Sequence, residues 1–317
     1  MNRNNSVKHV DSNAALIEDE EAVATARATC RYALIDPAQD DQLLDRLRGL
    51  RSRCFLGDSS AVRSVSPHLV ELPSEIDSTR AWEIIQKHGV KKPCVVLIGS
   101  NLKFDELFAH FLLFLDVQVN SSTSMLLAWW DPSFIACLLG QPTDETLYVK
   151  GPIFDAAQRR AFLGLLHNIS YWDRRGCMRS VDIAKLDELV PAQESKDNDP
   201  ILPLKFSAEQ VRLMVKAATP DQVIYELRLN QPGVLSDRSE WENYRMTCDL
   251  VNAADTYGIK GLQDLVNFAG AGMILGERFY QFPPIAQALA VIREGRGEFT
   301  EVLKSLPPEV VEQARTW

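Results

Sequence analysis

The sequence is poor in the residues from which enzymes and metal centres are usually built. It has five histidines in 317 residues, and none stands in an HExxH or HxxxH pattern. A GxSxG elbow, a GxxxxGK[ST] phosphate loop and a strand-borne GxGxxG are also missing, so no familiar catalytic constellation is recoverable. The six cysteines, at positions 30, 54, 94, 137, 177 and 248, are scattered singly, with no CxxC pair and no histidine at metal-ligand spacing. They are expected to be reduced thiols, mostly buried as small hydrophobes, with no metal and no cofactor. Long apolar runs are missing as well. A membrane span needs about 20 consecutive apolar residues, whereas residues 111–115 and 125–130 are short and end in polar residues, so they read as core. The polar N-terminal residues lead into an acidic stretch without an apolar h-region, which predicts no secretory signal and a cytoplasmic location. Basic residues are in deficit, 34 against 43 acids, for a formal charge of −9. That balance opposes docking along a phosphate backbone, so nucleic acid is not an expected partner.

What remains is an ordinary globular composition, 46% hydrophobic and 24% charged, in a chain long enough for two lobes. Residues 1–28 predict a tail or leading helix. Residues 29–175 predict an α/β (or α+β) lobe with a small mixed sheet. Residues 176–205 include the polar stretch 191–200 and predict a linker region, and residues 206–317 predict an all-helical lobe. Tyr32, Ala33, Leu34 and Ile35 form a short apolar run ending at Asp36-Pro37, a strand leading into a turn or helix. Residues 94–98 are continuously apolar between Pro93 and Gly99, which predicts a strand covered on both faces. Phe104, Leu107, Phe108, Phe111, Leu112 and Leu115 recur at helical spacing. Residues 125–130 predict a further strand, and a helix carrying Phe162, Leu163, Leu166 and Ile169 is expected after Gly151-Pro152. Beyond the linker, capping boxes at Ser207 and at Thr219-Pro220 predict two helix starts. The glycines in residues 269–276 lie in a helical pattern with no preceding strand, and read as close helix packing, not a nucleotide loop.

A few residues stand out as candidates. Asp36 and Asp131 precede prolines at strand ends, where α/β folds often place ligand groups, and with His110 they could form an acid–base set if all three converged. The plainer expectation is that the aspartates accept backbone N–H bonds at turns, and that His110 and His68 are buried and bonded to backbone. Trp129, Trp130 and Trp172 supply large amphipathic rings of the kind that anchor interfaces when exposed; alternation along one strand would turn only one of Trp129 and Trp130 outward.

The order of motifs resembles the Tap/Tec-type family, adaptor chaperones of type VI secretion effectors. The segments that carry the resemblance are Tyr32-Ala33-Leu34-Ile35-Asp36-Pro37-Ala38-Gln39, Pro67-His68-Leu69-Val70-Glu71-Leu72, Ile98-Gly99-Ser100, Leu107-Phe108-Ala109-His110-Phe111, Trp130-Asp131-Pro132 and Gly151-Pro152-Ile153. In the C-terminal lobe they are Ser207 to Gln210, Ala254-Asp255-Thr256-Tyr257-Gly258-Ile259, Gly276, Phe279 and Pro283, which adds Tyr257 to the candidates. Two departures are Leu112 and Ser133, where the family often has arginine; neither can replace a guanidinium fork. The resemblance implies a cytoplasmic, non-enzymatic protein that binds a toxic effector and delivers it to the C-terminal region of a spike protein. It further implies an exposed apolar or concave surface between the two lobes for that partner, and the acidic balance suggests that a basic segment of the effector fits it.

Overall fold

The computed structural model describes residues 10–73, 78–120, 122–181, 183 and 202–317. The chain divides into two compact units, Met1–Met214 and Val215–Trp317. The expected polar linker, residues 191–200, lies outside the described residues, as do residues 1–9 of the expected tail.

In the first unit the order is α1 (Val10–Thr29), β1 (Tyr32–Ile35), α2 (Leu43–Arg46), β2 (Ser52–Cys54), α3 (Ser60–Arg63), β3 (His68–Glu71), α4 (Ser78–Gly89), β4 (Val95–Ser100) and α5 (Phe104–Leu112). There follow β5 (Asp116–Gln118), β6 (Ser124–Leu126), α6 (Pro132–Leu139), α7 (Ala156–Leu163), β7 (Leu166–Trp172), β8 (Met178–Val181), β9 (Leu204–Lys205) and the start of α8 (Ala208–Asn230). Six strands form an antiparallel sheet in the order β2-β3-β1-β4-β7-β8. A second sheet, β6-β5-β9, is mixed: β6 is antiparallel to β5 and β9 parallel to it. This is the expected fold class, an α/β lobe with a small mixed sheet followed by helices.

The large sheet is covered on both faces, and its central strands β1 and β4 are apolar at nearly every position, Ser100 at the end of β4 being polar. All six residues of β4 are buried. Side chains alternate across a strand, so Ala33, Ile35, Val70, Val95, Leu97 and Trp172 share one core with Ala26 of α1 and Ala81, Trp82 and Ile85 of α4. The alternate set faces α5, where the Tyr32 ring lies 6.3 Å from Phe104 and the Tyr32 hydroxyl donates to the Leu102 carbonyl at 2.7 Å.

Four local expectations are corrected. Residues 166–172, expected to continue a helix, are strand β7; α7 ends at Gly164, and the chain then pairs with β4, Ile169 opposite Ile98 and Tyr171 opposite Val96. Of the expected strand 125–130 only Met125 and Leu126 are extended, as part of β6, and Trp129 and Trp130 sit in the turn before α6, so strand alternation does not apply and both rings are buried. The segments 178–181 and 204–205, expected in a linker, are strands β8 and β9; β8 returns from β7 through a turn at Gly176, which has a positive φ of 82°. Thr219 does not open a helix: α8 runs through Pro220, and the Thr219 hydroxyl donates back to the Val215 carbonyl. The other box behaves as expected, Ser207 and Gln210 exchanging side-chain and backbone bonds.

The second unit, as described, is helical: the remainder of α8, then α9 (Glu240–Thr256), α10 (Leu262–Leu275), α11 (Pro283–Arg293), α12 (Phe299–Ser305) and α13 (Pro308–Thr316), with 3-10 turns at Pro232–Leu235 and Phe279–Gln281. Ser239 and Glu242 form a reciprocal capping box at α9. Gly272 lets α10 lie against α9, since a Cβ there would come within 2.4 Å of a Leu250 methyl. Gly272 is thus helix packing, whereas Gly276 ends α10 with a positive φ of 112°.

Candidate protein-binding site

The first-unit motifs meet inside the fold. Asp36 ends β1 with its N–H bonded to the Cys94 carbonyl, and its carboxylate accepts from the Ala38 N–H at 3.0 Å and from the Trp130 indole. Burial pushes its pKa up, against the opposing pull of those two bonds. The next residue along from Trp130, Asp131, accepts the Phe134 N–H at 2.8 Å and caps α6. One aspartate therefore ties β1 to the Trp130 turn while the other starts the helix that follows it.

His110 turns inward from α5. Its Nε2 lies 2.9 Å from the Phe162 carbonyl, which accepts only, so the ring is protonated at that nitrogen. Burial lowers its pKa and keeps it neutral. Around it runs an aromatic core: Phe111 stacks on Trp129 at 4.7 Å, Phe55 on Phe108 at 4.6 Å, and Phe114 meets Phe162 edge-on at 5.2 Å. Rings at these separations add packing energy beyond area burial. The Trp129 indole N–H is buried with no hydrogen-bond partner among the described residues. His68 is buried in β3 with Nδ1 2.9 Å from the Ser66 carbonyl, and burial lowers its pKa too. Trp172 is buried on the opposite face of the sheet, against α4 at Gly89. Tyr257, in the second unit, donates to the Tyr280 carbonyl at 3.3 Å. Each sequence candidate is thus engaged in holding its own unit together. Asp36 and Trp130 are in direct contact, whereas His110 is committed to α7 and Asp131 to α6.

Two features escaped the sequence reading. Asp40, in the turn after β1, meets His88 Nδ1 at 2.7 Å, with Lys92 at 3.8 Å, so it joins that turn to the end of α4. Burial acts to raise the Asp40 pKa, but bonds from His88 and the Gln42 N–H together with the Lys92 charge outweigh it and the net shift is downward. Residues 48 positions apart carry no sequence signal for such a pair. The second feature is a set of exposed apolar side chains. Leu112 and Leu113, where α5 ends, are 39% and 51% exposed, and Met125 and Leu126 of β6 are 40% and 44% exposed. The apolar run 125–130 conceals this, because its first two residues are surface and the run from Leu127 on turns into the core. In the second unit, Arg238, Glu242, Arg245, Met246 and Glu277 line a cleft of about 300 Å³. Its charges are largely self-neutralised: Arg245 reaches both Asp249 and Glu277, and Asp249 has a pKa raised by burial and by its bond to Glu277.

Among the described residues, no group of three or more His, Cys, Asp and Glu could hold a metal ion, and no helix is long and apolar enough to cross a membrane. The strand β1, the Trp130 turn and the exposed β6 all lie in one stretch of the chain. Residues 31–148 match DUF4123, a domain of unknown function. The DUF4123 segment runs from the residue before β1 to beyond α6 and contains Asp36, His68, His110, Trp129, Trp130 and Asp131. Trp172 and Tyr257 lie outside it. No curated protein and no solved structure matches the chain.

Proposed function

We propose that this chain is a non-catalytic adaptor that holds a type VI secretion effector and promotes its loading onto the C-terminal region of the spike protein. The observation that carries the reading is the DUF4123 match, since that domain is known in type VI effector adaptors. The matched span also contains most of the first-lobe segments that resemble those adaptors. The geometry supports binding over catalysis: an acid–base set of Asp36, His110 and Asp131 needs convergent, solvent-reachable groups, and here each has a separate structural partner. The exposed leucines and methionine of α5 and β6 supply apolar contact area of the kind a protein partner covers. A cytoplasmic location accompanies this role.

The test is affinity purification of the tagged chain from its native cell extract in moderate salt, with co-purifying proteins identified by mass spectrometry. Recovery of a large toxin-like protein, with or without a spike component, is the expected result. A chain that elutes alone at every salt concentration overturns the reading.

A further inference from the structure

We infer that β6 is a docking edge for an extended, basic segment of a protein partner, which adds to the small sheet as a fourth strand. The inference deepens the adaptor reading and rests on it for the partner's identity, though not for the geometry. Edge strands are normally guarded against pairing with foreign chains. The large sheet follows that rule. At β2, Arg51 and Arg53 lie over the rings of Phe104 and Phe108, with Arg51 also paired to Asp105. At β8, the outward Met178 N–H is capped by the Asp19 carboxylate of α1.

Among the described residues, the edge at β6 has no such guard. Its three residues are all exposed, and two of them are Met125 and Leu126. The ladder with β5 pairs Asp116 with Leu126, Val117 with Met125 and Gln118 with Ser124. Leu127 donates to the Leu115 carbonyl at 2.7 Å, and Val119 to the Thr123 carbonyl at 3.0 Å. In an antiparallel pair, hydrogen-bonded positions alternate, so Thr123, Met125 and Leu127 bond inward to β5. The N–H and C=O groups of Ser124 and Leu126 then point away from it, and among the described residues none receives a bond. An extended backbone satisfies two donors and two acceptors spaced this way, while its side chains, alternating between the two faces of the sheet, cover Met125 on one face and Leu126 on the other. Asp116, exposed and in register with Leu126, and the net charge of −9 favour a strand that carries positive charge.

The experiment follows hydrogen exchange over residues 122–127 of the full chain, with and without a heptapeptide alternating lysine and valine; a glutamate–valine heptapeptide is the charge control. Slower exchange with the basic peptide only is expected, and Leu126→Pro should weaken that peptide by about tenfold or more, because it removes an outward donor without touching the β5 ladder. Circular dichroism checks that the variant folds. If it does not, Leu126→Lys keeps the N–H, places a like charge on the edge and should weaken the same peptide. Slow exchange in the free chain, independent of concentration, means that the chain covers its own edge and overturns the inference. Protection that rises with chain concentration alongside a dimer in light scattering assigns the edge to a second copy and also overturns it. So does an absence of any peptide effect. An effector that binds the wild type and Leu126→Pro equally removes this inference and leaves the adaptor reading, whereas an effector that binds neither removes the adaptor reading and leaves the peptide result standing.

Discussion

Replacing Gly272 with alanine tests how tightly α10 packs on α9. The new Cβ would lie 2.4, 2.7 and 3.1 Å from three carbons of Leu250, a side chain that is itself fully buried. Overpacking of this kind costs about 1–3 kcal/mol, while the gain in helix propensity from glycine to alanine returns about 1 kcal/mol. Gly272→Ala should therefore destabilise by roughly 0–2 kcal/mol on those two contributions. Leu250→Ala alone should cost about 2–5 kcal/mol through its cavity. In the double variant the alanine methyl occupies part of that cavity and the clash is gone, so its stability should equal or exceed that of Leu250→Ala. The two substitutions should then couple favourably by about 1–3 kcal/mol. Equilibrium urea unfolding followed by far-ultraviolet circular dichroism gives the four stabilities. Additivity within about 0.5 kcal/mol would refute the packing argument.

The remaining predictions concern titratable and aromatic groups of the first unit. Because burial raises the Asp36 pKa above its unfolded value, its ionisation disfavours the fold increasingly as pH rises through the carboxylate range. Asp36→Asn should keep or raise the melting temperature at pH 7, and Asp36→Ala should lower stability by about 1–3 kcal/mol by stranding the Trp130 and Ala38 donors; a loss in the asparagine variant as large as in the alanine one would contradict this. Asp40 has the opposite sign: its lowered pKa stabilises the fold above the unfolded carboxylate value, and the stability is lost as pH falls through the folded one. Asp40→Asn should weaken the protein at pH 7 and flatten its acid unfolding curve. His68 and His110, with pKa values lowered by burial, should make stability fall as pH drops below about 6.5, and His110→Gln should remove part of that slope in melts from pH 7 to 5. Trp129→Ala, which empties the centre of the aromatic core, should cost about 3–5 kcal/mol in the same urea assay.

The parts of this fold that show in the sequence are those governed by near-neighbour patterns. The apolar run that begins β4, the amphipathic α5, the Ser207 capping box and the glycine packing of α10 all depend on residues a few positions apart. The parts that stay hidden depend on distant pairing. Residues 166–172 carry the same apolar spacing as a helix, and only β4, some 70 residues earlier, makes them a strand. The Asp40–His88 contact and the Asp36–Trp130 bond have no local signature either. Candidate residues were chosen for their chemistry, but Trp129, Trp130 and His110 are rich in contact area because they fill the core. The exposed Met125 and Leu126 belong to the same apolar run, which turns inward from Leu127 onward. Leu112, noted first as a departure from an arginine, is one of the exposed apolar residues.

The most direct test of the adaptor account is spike loading itself. With purified effector and spike protein, the amount of effector that co-elutes with the spike is measured in the presence and absence of this chain. The account predicts an effector–spike complex that forms only, or far more fully, when the chain is present. Equal effector–spike association without it would contradict the account.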